Sequence, residues 1–117
     1  MSRSSLERLR DALDHCEHVT RLASGVAAAD LRSDRVRLQA LLYDLIILGT
    51  TFAHTPPEIM SLEPRIPWKE IIRTRNRFVH VYWELDPDFI MELVNRDLPL
   101  LAGSLRQLIA TLKAQAD

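Results

Sequence analysis

The chain has 117 residues and a formal net charge of −1, and its length predicts a single domain spanning residues 1–117. Hydrophobic residues make up 47% of it and charged residues 26%, a balance that excludes a disordered or low-complexity chain. Cys16 is the only cysteine, which excludes an internal disulfide, and the N-terminus lacks the apolar run of a signal peptide, so we expect a cytoplasmic protein.

The spacing of apolar residues predicts an all-α fold, a small bundle of four to five helices. Glycine occurs only three times, and apolar residues recur every three to four positions along most of the chain. Ser4 and Glu7 have the spacing of a capping box, Gly25 suits a left-handed C-cap, and Ser33 is the predicted N-cap of the second helix. The predicted helices cover residues 4–23, 33–54, 67–83, a segment that follows Asp86, and 98–115.

The second predicted helix is apolar on more than one side. Its main stripe lies within residues 38–52, and Tyr43, Ile46 and Ile47 lie beside or opposite that stripe. A helix of this kind needs cover on two sides, so it is either the central helix of the bundle or a contact with another subunit. Gly49 on the same helix permits the close approach of a neighbouring helix.

Prolines indicate most of the remaining boundaries. Residues 24–32 and 55–66 are predicted to be connections, the second of them with one helical turn. Pro67 suits the first position of the third helix, because a proline there loses no hydrogen bond. The Asp-Leu-Pro segment at residues 97–99 is expected to break or kink the pattern before the last helix.

Positive charge is concentrated in residues 65–80. The stretch holds five Lys or Arg residues against one acid, Glu70, and so carries +4, while the rest of the chain sums to −5. The five are Arg65, Lys69, Arg73, Arg75 and Arg77. A cationic patch on an otherwise acidic chain predicts an anionic partner at that patch.

The centre of the cationic stretch is residues 75–82, which read Arg-Asn-Arg-Phe-Val-His-Val-Tyr between two tryptophans. They contain the spacing Arg-x4-His at Arg75 and His80, and the same spacing occurs at Arg10 and His15. The first copy lacks an Asn after its Arg, a Tyr two residues after its His, and a cationic flank. We therefore interpret the first copy as chance.

The groups in this centre suit work on a phosphodiester. An imidazole such as that of His80 takes or gives a proton near neutral pH, and a guanidinium such as that of Arg75 holds phosphate oxygens and stabilises charge developing at phosphorus. In RNA the 2′-hydroxyl is a built-in nucleophile, so such a set needs no metal in principle. The alternative is a solvated basic helix face on which His80 caps or bridges.

Helix geometry leaves open how these groups meet. Arg75 and His80 are five residues apart and share no helix face, whereas Asn76 and His80 do share one. Three explanations are open. The long arginine side chain spans the distance between the two faces, or the helix unwinds near residue 81, or a two-fold axis brings two copies of the helix together.

A metal site is not predicted. His15 and His18 have the i, i+3 spacing of a metal-binding pair, but the sequence offers no matching ligand cluster elsewhere.

The 75–82 stretch and several other segments of the sequence resemble the HepT-like toxins of the HEPN superfamily. The most specific part is Arg-x4-His-x-Tyr, met here by Arg75, His80 and Tyr82. The order and spacing of the helices agree as well. The other matching segments are residues 45–49 (Leu-Ile-Ile-Leu-Gly), 67–68 (Pro-Trp) and 97–99 (Asp-Leu-Pro). The resemblance implies a small helical bundle that forms a homodimer and acts as a metal-independent endoribonuclease without a cofactor.

The resemblance also implies roles for residues. Arg75 and His80 would be catalytic, Asn76 would support the site, and Tyr82 would be the residue to which AMP is transferred. The positive charge of the remaining cations predicts that they bind the RNA substrate, for which transfer RNA is one candidate. They are Arg65, Lys69, Arg73 and Arg77.

The implied partner is a small nucleotidyltransferase antitoxin that silences the toxin by transferring AMP to the motif tyrosine, in a type VII toxin–antitoxin pair, with no membrane involved. The alternative is a non-catalytic HEPN module that binds nucleotide or RNA as the partner subunit of a nucleotidyltransferase. The sequence departs from the family pattern at Thr50, where Glu is frequent, and at Arg73-Thr74.

Overall fold

The structure is a computed structural model that describes residues 4–116. Its helices are α1 (Ser5–Ala23), α2 (Ala28–Ser33), α3 (Arg35–Ala53), α4 (Pro57–Met60), α5 (Trp68–His80), α6 (Pro87–Glu92) and α7 (Leu98–Ala116). A 3-10 turn covers Tyr82–Glu84, and a π-helical segment covers Leu93–Asp97. The described residues contain no strand, which confirms the predicted all-α bundle.

The ends of α1 follow the sequence prediction. Ser4 Oγ accepts a hydrogen bond from the Glu7 N–H at 3.1 Å, and Glu7 Oε1 accepts one from the Ser4 N–H at 3.3 Å, which confirms the capping box. After the helix, Gly25 has a φ of +74°, in the left-handed region where glycine carries no steric cost.

The predicted N-cap of α3 was wrong by one residue. Residues 24–32 are not a plain connection, because α2 lies within them and extends to Ser33, anchored by the fully buried Leu31. Asp34 is the N-cap of α3, and its carboxylate accepts the Arg37 N–H at 3.1 Å. That backbone hydrogen bond is the main cause that holds the pKa of Asp34 below its ordinary value.

Helix α5 is shorter than predicted. It begins at Trp68, with Pro67 as its N-cap, and it ends at His80 and not at residue 83. Val81 leaves the helical region with φ −129° and ψ 47°, so the helix does unwind near residue 81. Arg75 and His80 both precede this point within α5, so the unwinding does not bring them together. Val79, next to the end of the helix, is 42% exposed.

Residues 97–99 do not break the chain into two helices. The Leu98 N–H bonds to the Leu93 carbonyl, five residues back, so α6 and α7 continue into one another through a π-helical segment. The extra residue in this turn accommodates Pro99, which has no N–H to donate.

Helix α3 is the central helix. It packs against α1 on one side and α5 on the other, and α7 packs against α1. Among residues 4–116 it is the one helix long and apolar enough to cross a bilayer by length and composition. Its neighbours and the buried carboxylate of Asp44 give it the environment of a core helix. Tyr43 remains 61% exposed, and its ring meets the His15 ring of α1 edge to face with centroids 6.0 Å apart.

Candidate active site

Helix packing fixes the position of Arg75. Gly49 is buried where α3 meets α5, and a methyl group built on it would overlap Arg75 Cβ and Cγ. The absence of a side chain at residue 49 therefore lets the arginine's aliphatic stem rest on α3. One residue further along α3, Thr50 Oγ1 accepts a hydrogen bond from Arg75 Nε at 3.1 Å.

Asn76 accepts a hydrogen bond from a second nitrogen of the same guanidinium. Its Oδ1 accepts a hydrogen bond from Arg75 Nη1 at 2.7 Å. Within residues 4–116 the hydrogen bonds of Arg75 engage Nε and Nη1, which leaves the Nη2 donors open to a phosphate. Asn76 and His80 are four residues apart, so this bond turns the guanidinium toward the helix face that His80 occupies.

His80 is fixed far less than Arg75. It is the last residue of α5 and is exposed, and within residues 4–116 no side-chain hydrogen bond or ion pair engages its ring. Arg75 and His80 lie about 140° apart around an ideal helix. The structure places the two residues in adjacent turns and does not join them by a hydrogen bond.

The predicted phosphate contacts divide into two groups. Lys69, Arg73 and Arg77 are exposed on α5 at four-residue intervals, and His80 completes the same face, which we call the cationic stripe. Arg65 precedes α5 and pairs with the buried Glu63 at 3.0 Å between Nε and Oε1. Arg65 therefore lies outside the helix that carries the stripe, and its pairing with Glu63 neutralises part of its charge.

Two large aromatic side chains follow the catalytic candidates directly. Tyr82 is 66% exposed and Trp83 is 67% exposed, both on the 3-10 turn after His80. Their ring centroids are 5.4 Å apart and the ring planes meet at 82°, an edge-to-face arrangement.

One groove lies elsewhere on α5. It has a volume of about 500 Å³ and runs between α5 and the α6–α7 segment, lined by Arg65 and Thr74 but by neither Arg75 nor His80. His80 itself is exposed at the end of α5, where a polymer has access to it as well as a small molecule.

A second polar cluster, which sequence reasoning missed, joins α1 to α3. Asp44 is buried and accepts hydrogen bonds from His15 Nδ1 at 2.7 Å and from His18 Nδ1 at 2.5 Å. Asp44 and Thr50 give no local signal, because their partners are 26 to 29 and 25 residues away in the chain. Residues 4–116 hold no group of three or more His, Cys, Asp or Glu side chains placed to bind a metal ion.

Cys16 lies in the core close to this cluster in sequence. Burial, with a smaller contribution from Glu17, raises the pKa of the Cys16 thiol to about 11, and Sγ donates a hydrogen bond to the Leu98 carbonyl at 3.4 Å. A buried neutral thiol of this kind is a packing residue and not a nucleophile.

An all-α bundle that carries Arg-x4-His-x-Tyr at the end of its fifth helix has the features of a HEPN domain. The family described as "Ribonuclease HepT-like" matches residues 12–108, and the chain belongs to this family. The match confirms the resemblance seen in the sequence.

Three relatives illustrate the similarity. A Thermococcus cleftensis protein named "Probable ribonuclease HepT" is 28% identical over 108 residues, which are 92% of this chain and 98% of the relative. A candidate RNase of Caldanaerobacter subterraneus is 26% identical over 86% of this chain and 90% of its own length. A candidate RNase of Methanocaldococcus jannaschii is 19% identical over 92% of this chain and 88% of its own length. No solved structure gives a significant match to the chain.

Proposed function

We propose that this protein is a cytoplasmic, metal-independent endoribonuclease, the toxin of a toxin–antitoxin pair whose antitoxin is a nucleotidyltransferase. The observation that carries the proposal is that α5 holds the Arg75 guanidinium in place by two hydrogen bonds and exposes the His80 imidazole at the end of the cationic stripe. Membership of a ribonuclease family and the names of the relatives support the ribonuclease part.

The proposed chemistry uses the substrate, these two side chains and a proton from solvent. His80 takes the proton of the 2′-hydroxyl as that oxygen attacks the adjacent phosphorus, and Arg75 stabilises the charge that develops on the non-bridging oxygens. The bond from phosphorus to the 5′-oxygen breaks, and that oxygen takes up a proton from solvent. The products are a 2′,3′-cyclic phosphate and a 5′-hydroxyl.

The test is an assay of purified protein on a labelled RNA, with transfer RNA included as one substrate. We expect cleavage that persists in EDTA and yields cyclic phosphate ends, identified by mass spectrometry of the fragments. Loss of cleavage in EDTA that added Mg²⁺ restores, or fragments with 5′-phosphate ends, would contradict the proposed mechanism.

The protein is proposed to act as a homodimer. In one copy Arg75 and His80 lie about 140° apart around α5 and share no helix face, and Tyr43 on α3 is 61% exposed. A two-fold axis would double the cationic stripe and form one composite groove. Sedimentation at micromolar concentration is expected to give the mass of two chains, and a monomer alone would count against this part.

AMP transfer is proposed to regulate the site through Tyr82. Its hydroxyl-bearing ring is exposed two residues after His80, where an adenylyl group would add bulk and a negative phosphate beside the catalytic groups. After co-expression with the cognate nucleotidyltransferase, mass spectrometry should locate AMP on Tyr82, and Tyr82→Phe should remain unmodified and active. Modification found only at other residues would exclude this regulation.

A non-catalytic HEPN module is the second candidate, and one observation favours it. No described group orients the His80 ring, whereas a general base is commonly held by a partner. Such a module would bind RNA through the cationic stripe, with an affinity that falls as salt rises, and would leave the RNA intact. The cleavage assay and a salt series on the same RNA distinguish the two candidates.

A further inference from the structure

The exposure of Trp83 is unusual within this chain. The other tryptophan, Trp68, is 6% exposed and packs on Phe52 with ring centroids 4.6 Å apart. Trp83 keeps about two thirds of its surface in solvent, although burying an aromatic side chain of this size is strongly favourable. An exposed tryptophan beside a candidate active site indicates a binding surface.

The turn that carries Trp83 presents it in a fixed arrangement. The Val81 N–H bonds to the Arg77 carbonyl at 2.9 Å, and the Glu84 N–H bonds to the Val81 carbonyl at 2.9 Å. Tyr82 and Trp83 meet edge to face and are each about two thirds exposed, so the pair leaves aromatic surface accessible to a ligand. A ligand that stacks on this pair would therefore lose little affinity to the ordering of the side chains.

The surroundings of the pair indicate what stacks there. The cationic stripe runs along α5 from Lys69 to His80, about 16 Å by helix rise, and ends at this turn. Beyond Trp83 the exposed Glu84 reverses the charge, so phosphate contacts are favoured on the α5 side alone. A ligand that carries phosphates along one edge and a flat aromatic ring at its end matches both features, and single-stranded RNA is such a ligand.

We propose that Trp83, with Tyr82 beside it, is a stacking platform for one unpaired nucleobase next to the phosphate that His80 and Arg75 act upon. The inference rests on the proposed function and adds a substrate class to it. The substrate is single-stranded at the cut, in a loop or a tail, because a base inside a duplex has no face free to stack on the protein.

Intrinsic fluorescence provides a direct measurement. The probe is a 2′-O-methyl RNA oligonucleotide, which has no free 2′-hydroxyl and so reports binding without cleavage. We expect it to quench the wild-type emission, and we expect Trp83→Phe to bind it with nearly unchanged affinity but without quenching, since Trp68 is buried. The same sequence as a duplex should bind more weakly and quench less.

A matched set of variants separates stacking from general apolar contact. Trp83→Ala and Trp83→Leu should each weaken binding of the oligonucleotide about 5- to 150-fold, whereas Trp83→Phe retains a ring and most of the affinity. Leu100→Ala, at an exposed apolar position on α7, should leave binding unchanged. Circular dichroism confirms that each variant is folded.

Three outcomes would overturn the platform. Equal affinity of the wild type and Trp83→Ala would remove it while leaving the proposed ribonuclease intact. Equal affinity of Trp83→Leu and Trp83→Phe would show apolar contact without stacking. Failure of the folded wild type to bind any oligonucleotide would remove both the platform and the proposed function, so the two failures are distinguishable.

Discussion

The spacing Arg-x4-His occurs on two helices of this protein, and the two copies are fixed in opposite ways. On α1 the imidazole of His15 is bonded to the buried Asp44, while Arg10 is exposed. On α5 the guanidinium of Arg75 is bonded at two atoms and partly buried, while His80 is exposed.

The difference follows from the helix and not from the spacing. Residues five apart point about 140° away from one another, so one member of each pair faces the core and the other faces solvent. A histidine that faces inward needs a partner and becomes structural, as His15 does with Asp44. An arginine that faces inward is oriented by its partners and leaves the histidine free to exchange protons with a ligand.

The largest expected effect is on cleavage by the second copy. His80→Ala should lower the cleavage rate about 10²- to 10⁴-fold, because positioned proton transfer typically contributes that much. Within the described residues the exposed His80 ring makes no side-chain hydrogen bond, so the thermal unfolding temperature should change little. His15→Ala is the matched control, with cleavage per folded molecule retained. Full activity of His80→Ala would show that His80 is not the proton acceptor in cleavage.

The arginines form the next pair. Arg75→Lys should lower cleavage about 10- to 100-fold, because lysine keeps the charge but lacks the planar fork that Thr50 and Asn76 orient. Arg10→Lys should have no effect on the rate. Equal rates for the two variants, measured in single-turnover assays, would mean that charge alone suffices at residue 75.

Changes around the first copy, at the partner of His15, are expected to lower stability and not the cleavage rate. Asp44→Ala should lower the free energy of unfolding by about 2 kcal/mol, since it removes two hydrogen bonds to a buried carboxylate and leaves His15 unpaired. Asp14→Ala, at an exposed position on α1, should change it by less than about 0.5 kcal/mol. Urea unfolding measures both, and a reduced cleavage rate per folded Asp44→Ala molecule would give α1 a role that we do not expect.

The smallest effect is expected at Thr50. Thr50→Val keeps the shape but removes the acceptor of the Arg75 Nε bond, so kcat should fall about two- to ten-fold with KM nearly unchanged. Thr50→Ser should restore kcat. Thr74→Val removes a hydroxyl that bonds the Glu70 carbonyl and serves as control. If Thr74→Val lowers kcat as much as Thr50→Val does, the Thr50 bond has no special part in positioning Arg75.

Local signals in the sequence were sufficient for much of the fold. The capping box at Ser4 and the positive φ at Gly25 depend on a few adjacent residues, and both were predicted. The cap of α3 was misassigned because Ser33 and Asp34 are both good N-caps, and the choice depends on α2 packing through Leu31. The early end of α5 has no signal in the apolar spacing, which continues past His80.

The candidate site was predictable only in part. The spacing and the cationic flank identified Arg75 and His80 as candidates, but not which of them is fixed. The fixed position of Arg75 depends on Gly49 and Thr50, which contact it because α3 crosses α5 at this point. Contacts of this kind depend on the rotation and crossing of two helices, which a single sequence does not encode as a local pattern.

The contact between the Arg75 side chain and Gly49 affects the choice of an inactive variant of this protein for co-crystallisation. The arginine's stem is part of the contact between α3 and α5, so truncating it would loosen that contact and reshape the surface that a binding partner recognises. A side chain at residue 49 would displace α5 from the opposite direction. An inert form made at His80 keeps both helices in place, and it presents the partner with the surface of the wild-type protein apart from one ring.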